Sequence, residues 1–187
     1  MIIGDRDVAE FCHLGLRLGV LSLADVHAWA DDMIVARDEP PTWAIDLSTA
    51  ELEAAIRALN AVPGKPTTDV PVKLIVALVR RRWSSGQVSL GQVQSIGWQL
   101  HGWDRLPLPA VGGDWGVVLY CEYEEFEQGY RTDSQMRNSV DDKLAPYAEF
   151  EQMIPEWIER SGLPLGLHSG NPATLTSGYC PDNALQF

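Results

Sequence analysis

Side chains grouped for metal, redox or covalent chemistry are missing from this sequence. Its three cysteines, Cys12, Cys121 and Cys180, are odd in number and far apart, which excludes a disulfide framework and the paired C-x-x-C of a zinc site. They read as buried thiols. The four histidines, His13, His27, His101 and His168, are scattered and form no H-E-x-x-H, so each reads as a surface or satisfied core residue and no metal is expected. G-x-S-x-G, the phosphate loop G-x-x-x-x-G-K and a G-x-G-x-x-G after a strand are also absent, so no catalytic residue and no cofactor is assigned. No apolar run approaches the roughly 18 residues of a membrane span. The start, MIIGDRDVAEF, has neither a basic cluster nor a long apolar core, which predicts a cytoplasmic protein without a membrane partner. Positive charge is scarce: 14 lysines and arginines stand against 26 acids, a formal net charge of -12 and a pI near 4.6. That balance disfavours nucleic acid as a ligand and favours a basic protein.

What is present is a helical grammar. At 187 residues and 45% hydrophobic, the chain is long enough for one domain with its own core. Val8, Phe11, Cys12, Gly15 and Leu18 fall at helical spacing over Asp5 to Leu18. Gly19 stops that helix, and Ser22 caps the next, with Asp25 three residues on as box partner and Leu21 packing on Val26. The second helix runs to about Ala36, burying Val26, Trp29, Ala30, Met33 and Ile34, with Asp25, Asp31 and Asp32 outward. Pro40 and Pro41 break the chain. Ser48 and Glu51 form a second capping box, with Leu47 stapled to Leu52, and open a third helix burying Leu52, Ala55, Ile56 and Leu59. After a Gly-Pro-Thr loop, Asp69 is the expected cap of a fourth helix, Val72 to Trp83, apolar around most of its circumference and so central. Arg80, Arg81 and Arg82 in its last turn suit the helix dipole and acidic neighbours; a phosphate site is the alternative.

A third start follows, with Ser89 as cap and Gln92 as box partner. Gly19-Val-Leu-Ser-Leu-Ala-Asp-Val26 aligns without gaps on Gly86-Gln-Val-Ser-Leu-Gly-Gln-Val93, which predicts equivalent turns. The fifth helix buries Leu90, Val93, Ile96 and Leu100 and ends near Gly102. Beyond a loop at 103–113, Asp114 caps Trp115 to Gln128, read as a helix ended by Gly129, with a strand at 115–121 as the alternative. Helices over Asp133 to Leu144 and Tyr147 to Arg160 follow, the latter facing Phe150, Met153, Ile154, Trp157 and Ile158 inward and either kinked at Pro155 or replaced by a shorter helix that starts near Met153 with Pro155 in its first turn. The predicted fold is mainly α: a multi-helix bundle of stacked helical hairpins with an irregular C-terminal tail. One domain spans 1–187, with a five-helix core in 1–103, additional helices in 104–160, and a tail at 161–187 packed through Leu165, Leu167, Tyr179 and Phe187.

The densest candidate chemistry lies after Asp114. Glu122, Glu124, Glu125 and Glu127 are interleaved with Tyr120, Tyr123, Phe126 and Tyr130. Acids that steer an encounter and aromatics that anchor it suit an interface with a basic protein. Asp31, Asp32, Asp38 and Glu39 form a second acidic set. A carboxylate-dependent hydrolase could use pairs such as Glu122 with Glu125 or Glu124 with Glu127; a solvated acidic face is the plain alternative.

The run LGLRLGVLSLADVHAWADDMI, then DEPP and IDLS, resembles the N-terminal helices of small bacterial immunity proteins of polymorphic toxin systems, over about the first quarter of the chain. The resemblance implies a protein that binds a cognate toxin and occludes its active site or substrate channel. It carries no site residues over, because the toxin-binding surface differs between members. Joined to the charge of -12, it points to a basic nuclease as the toxin. A helical scaffold or adaptor with another partner is the competing expectation, beside the small hydrolase.

Overall fold

The computed structural model describes residues 3–67, 69–101 and 115–159. Among them are eight α-helices, two 3-10 segments and no strand. The described residues form an all-helical bundle, as the periodicity predicts. Helix α1 is Asp5–Arg17 and α2 is Leu23–Val35. Between them Gly19 adopts φ 66°, a left-handed conformation that costs glycine little. The Val20 amide donates to the Gly15 carbonyl at 2.8 Å and the Gly19 amide to Leu16 at 3.2 Å, the paired closure of a Schellman turn. Ser22 then caps α2 reciprocally with Asp25. Asp25 does not face outward as expected. It is 3% exposed, and its carboxylate accepts from the Ser22 amide at 2.8 Å and hydroxyl at 2.7 Å. The capping role draws this acid into the interior, where those donors offset its desolvation.

The chain between α2 and the next long helix differs from the prediction. A short helix α3, Thr42–Ser48, forms where a loop was expected, so six helices rather than five precede residue 102. Ser48 is its last residue and donates its hydroxyl to the Ile45 carbonyl at 2.9 Å. The expected Ser48–Glu51 box is therefore absent. Helix α4, Leu52–Ala61, starts at Glu51 without a side-chain cap, and Leu52 is 40% exposed, so it does not staple to the buried Leu47. Burial overrides the local signal: helical α3 places Leu47 and Ala44 in the interior and sets Trp43 against Trp29, ring centroids 5.2 Å apart. Fully burying a leucine is worth about 2 kcal/mol, more than a typical cap.

Helix α5, Val70–Ser84, buries every residue from Val70 to Val79 except Lys73. It packs on α1, on the 3-10 segment Ala145–Met153 and on the helix Asp133–Leu144, as the centre of the core should. Asp69 precedes it without a side-chain cap bond and pairs with Lys73 at 2.5 Å. The three arginines at its end are taken up inside the bundle. Arg80 pairs with the Glu151 carboxylate, Arg81 donates to the Glu151 carbonyl at 2.5 Å, and Arg82 donates to the Val20 carbonyl of the α1–α2 turn. They tie neighbouring segments to the C-terminal end of α5.

Helix α6 is Leu90–His101, α7 is Trp115–Glu127 and α8 is Asp133–Leu144. The 115–121 segment is helical, which removes the strand alternative. A helix puts Trp115, Gly116 and Leu119 on one buried face, whereas a strand would alternate them. That face meets α6 at a glycine pair: a Cβ on Gly116 would lie 2.1 Å from the Gly97 carbonyl oxygen. The helices run antiparallel, since Tyr123, two turns further along α7, lies beside Gly91, nearly two turns back along α6. The helix expected over Tyr147 to Arg160 is instead two 3-10 segments, Ala145–Met153 and Glu156–Glu159. Pro155 has no amide donor and holds Ile154 extended, at ψ 125°, which breaks the ladder. The second segment still reaches the core, where Trp157 stacks on Trp29 at 6.4 Å and meets Phe11 edge-on at 6.4 Å. Among the described residues no helix is long and apolar enough to cross a membrane. The Asp114 cap and the tail anchors Leu165, Leu167, Tyr179 and Phe187 lie outside the described residues.

Candidate functional site

The α7–α8 unit carries most of the predicted partner-binding residues. Gly129, at φ 80°, closes α7 with the same bonds as Gly19: Tyr130 donates to the Glu125 carbonyl at 2.9 Å and Gly129 to Phe126 at 2.9 Å. Thr132 and Gln135 then form a full capping box. The α5–α6 junction has the same construction, with Gly86 at φ 72° and a Ser89–Gln92 box. The turn at 129–135 was missed from sequence although its spacing is the same, glycine followed at the third residue by Ser or Thr and three further by Asp or Gln.

The turn fixes which way each α7 side chain points. Tyr120 stacks on Trp98 of α6 at 4.6 Å, and Tyr123 lies over Gly91 and beside Phe126 at 6.1 Å. These aromatics line the α6–α7 seam. Of the predicted aromatic anchors only Tyr130 is open to solvent, at 77% exposed. Burial raises the Tyr123 hydroxyl above its ordinary pKa, helped by the charge and hydrogen bond of Glu127. Glu124 is half-buried and Glu127 exposed.

Glu122 and Glu125 face α8. Glu122 receives the Ser139 hydroxyl, the Lys143 ammonium at 2.9 Å and Arg131 at 3.3 Å. Burial alone would raise its pKa, but the bonds from Ser139 and Lys143 and the charges of Lys143 and Arg131 outweigh that and hold it below the ordinary range. Glu125 pairs with the Arg131 side chain at 2.6 Å. The two glutamates thus share a cation. A general acid of a two-carboxylate hydrolase needs a raised pKa, and Glu122 is shifted the other way.

Between α7 and α8 these side chains wall an open cleft of about 640 Å³. Its lining holds three acids, Glu122, Glu125 and Asp142, against two bases, Arg131 and Lys143. Tyr130, Gln135, Asn138 and Ser139 complete it. The second acidic set is elsewhere. Asp31 is exposed and Asp32 half-buried on α2, while Asp38 and Glu39 stand exposed in the connection to α3. Helix α2 packs on α3 and the Glu156–Glu159 segment, whereas α7 packs on α6 and α8, so the two sets have different neighbours.

Cys12 is buried, and burial, then the charge of Asp25, pushes its thiol well above the ordinary pKa. Cys121 departs from the expectation of buried thiols: it is exposed on α7, because the spacing that turns Leu119 inward turns residue 121 out. Among the described residues no group of three His, Cys, Asp or Glu side chains converges as a metal site. No family model, curated protein or solved structure matches the chain.

Proposed function

We propose that the chain is an immunity protein. It binds a cognate bacterial toxin, of which a basic nuclease is the class that fits best, and neutralises it by occluding the active site or substrate channel. The observation that carries this reading is where the charges stand. Arg6, Arg37, Lys73, Arg80, Arg131, Arg137 and Lys143 are held in ion pairs within the chain. Asp31, Asp38, Glu39, Glu127 and Asp142 are exposed. Each of these pairs takes up an acid with its base, so the formal net charge of -12 is left on the molecule, and the field of that acidic excess steers and orients a basic protein.

The test is co-purification with the product of the neighbouring gene, followed by rescue of cells that express that product. A stable complex and restored growth are expected. Neither complex nor rescue would sink the immunity reading and leave a helical adaptor of another partner as the reading to pursue.

A further inference from the structure

We propose that the α7–α8 cleft is a receptor for one arginine side chain presented by the basic partner. The identity of that partner as a toxin rests on the reading above; the arginine chemistry of the cleft does not. The cleft combines three things that a guanidinium uses. It is a concavity of about 640 Å³, large enough for a side chain and its hydration. Its titratable lining leaves one formal negative charge, because Arg131 and Lys143 offset two of the three acids. The third, Asp142, stands exposed on α8 one turn from Asn138, which is also exposed. Together they put a carboxylate and an amide oxygen on one helix face of the lining, acceptors that the several donors of one guanidinium can engage together.

Tyr130 supplies the third feature. It lines the same cleft and is 77% exposed, although most aromatics among the described residues are buried or half-buried. The Schellman turn fixes its backbone immediately after Gly129, and an exposed aromatic ring in the lining is a surface on which a guanidinium can stack. The floor is already rigid: Glu122 is held from three sides by Ser139, Lys143 and Arg131. A preformed pocket loses little entropy on binding. An anionic guest is disfavoured by the residual charge of the lining and by the net -12 of the chain.

The experiment is a two-dimensional amide NMR titration of the full chain with N-acetyl-arginine amide, with N-acetyl-lysine amide as comparison, at constant ionic strength. Saturable shifts confined to the 125–143 region are expected with the arginine probe, with lysine binding several-fold weaker. The double variant Tyr130→Ala, Asp142→Asn alters two surface residues and should keep the native spectrum while weakening arginine binding about tenfold, the product of a lost stack and a lost charge-assisted bond. Non-saturating shifts, equal binding of lysine, or an unaffected double variant would each overturn the proposal. Because the probe is a small molecule, that failure is separate from a failed toxin rescue.

Discussion

At Gly116 the backbone of α7 lies so close to α6 that even a methyl group has no place: the added carbon would sit 2.1 Å from the Gly97 carbonyl oxygen. Backbone cannot rotate away as a side chain can, so Gly116→Ala should separate the helices and cost about 3 kcal/mol. At Gly97 the nearest atoms are a Trp115 ring carbon at 2.7 Å and the Gly116 Cα at 3.1 Å, both longer approaches than the one at Gly116, so Gly97→Ala should destabilise but cost less. Urea unfolding midpoints at constant m-value will rank the two; equal losses would mean the crossing is looser than described. Glu122 sets a pH dependence at the same scale. Its folded pKa is depressed from the ordinary 4.5, so its stabilising contribution is complete above that value and is lost as pH falls through the lower folded value. Glu122→Gln should flatten the acid limb of a stability–pH profile recorded between about pH 6 and 3. An unchanged limb would show that other carboxylates govern it. Neither feature is legible in sequence: nothing local marks Gly116 as a helix contact, and the partners of Glu122 come from the following turn and helix.

At the scale of elements, one turn is used three times, at Gly19, Gly86 and Gly129, each with the same pair of backbone bonds and a capping box beyond. Two were visible as an ungapped match, because glycine, cap and box partner are local requirements that leave residues at fixed offsets. The false box at Ser48–Glu51 shows the converse. It satisfies the offsets but lacks the preceding glycine, and α3 gains more by carrying Leu47 and Trp43 inward. The true boxes differ in burial. Ser22→Ala strips one donor, the hydroxyl, from an Asp25 that is 3% exposed and should cost about 2 kcal/mol, whereas Ser89→Ala and Thr132→Ala, whose boxes are exposed, should each cost about 1 kcal/mol. Thermal unfolding of the three variants gives the order, and a smaller loss at Ser22 would contradict it.

For the whole molecule, the charge of -12 predicts association that is fast at low salt and slows as salt screens it. Glu124→Gln with Glu127→Gln should reduce the on-rate for the basic partner about threefold at low ionic strength and leave it unchanged at high. Stopped-flow association at two salt concentrations checks this, and an on-rate insensitive to the change would take α7 out of the interface. The sequence by itself determined helix content, the central place of α5, two of the three Gly turns and the sign of the field, since periodicity, capping offsets and ionisable groups act locally or sum without regard to position. Only the tertiary structure decided that Tyr120, Tyr123 and Phe126 serve the α6–α7 seam, that Glu122 is bound by Ser139, Lys143 and Arg131, and that Tyr130 and Asp142 share a cleft. Those outcomes depend on which helix faces which across the Gly97–Gly116 crossing and the α7–α8 turn, and helical spacing alone gives each residue a face without naming the neighbour opposite it.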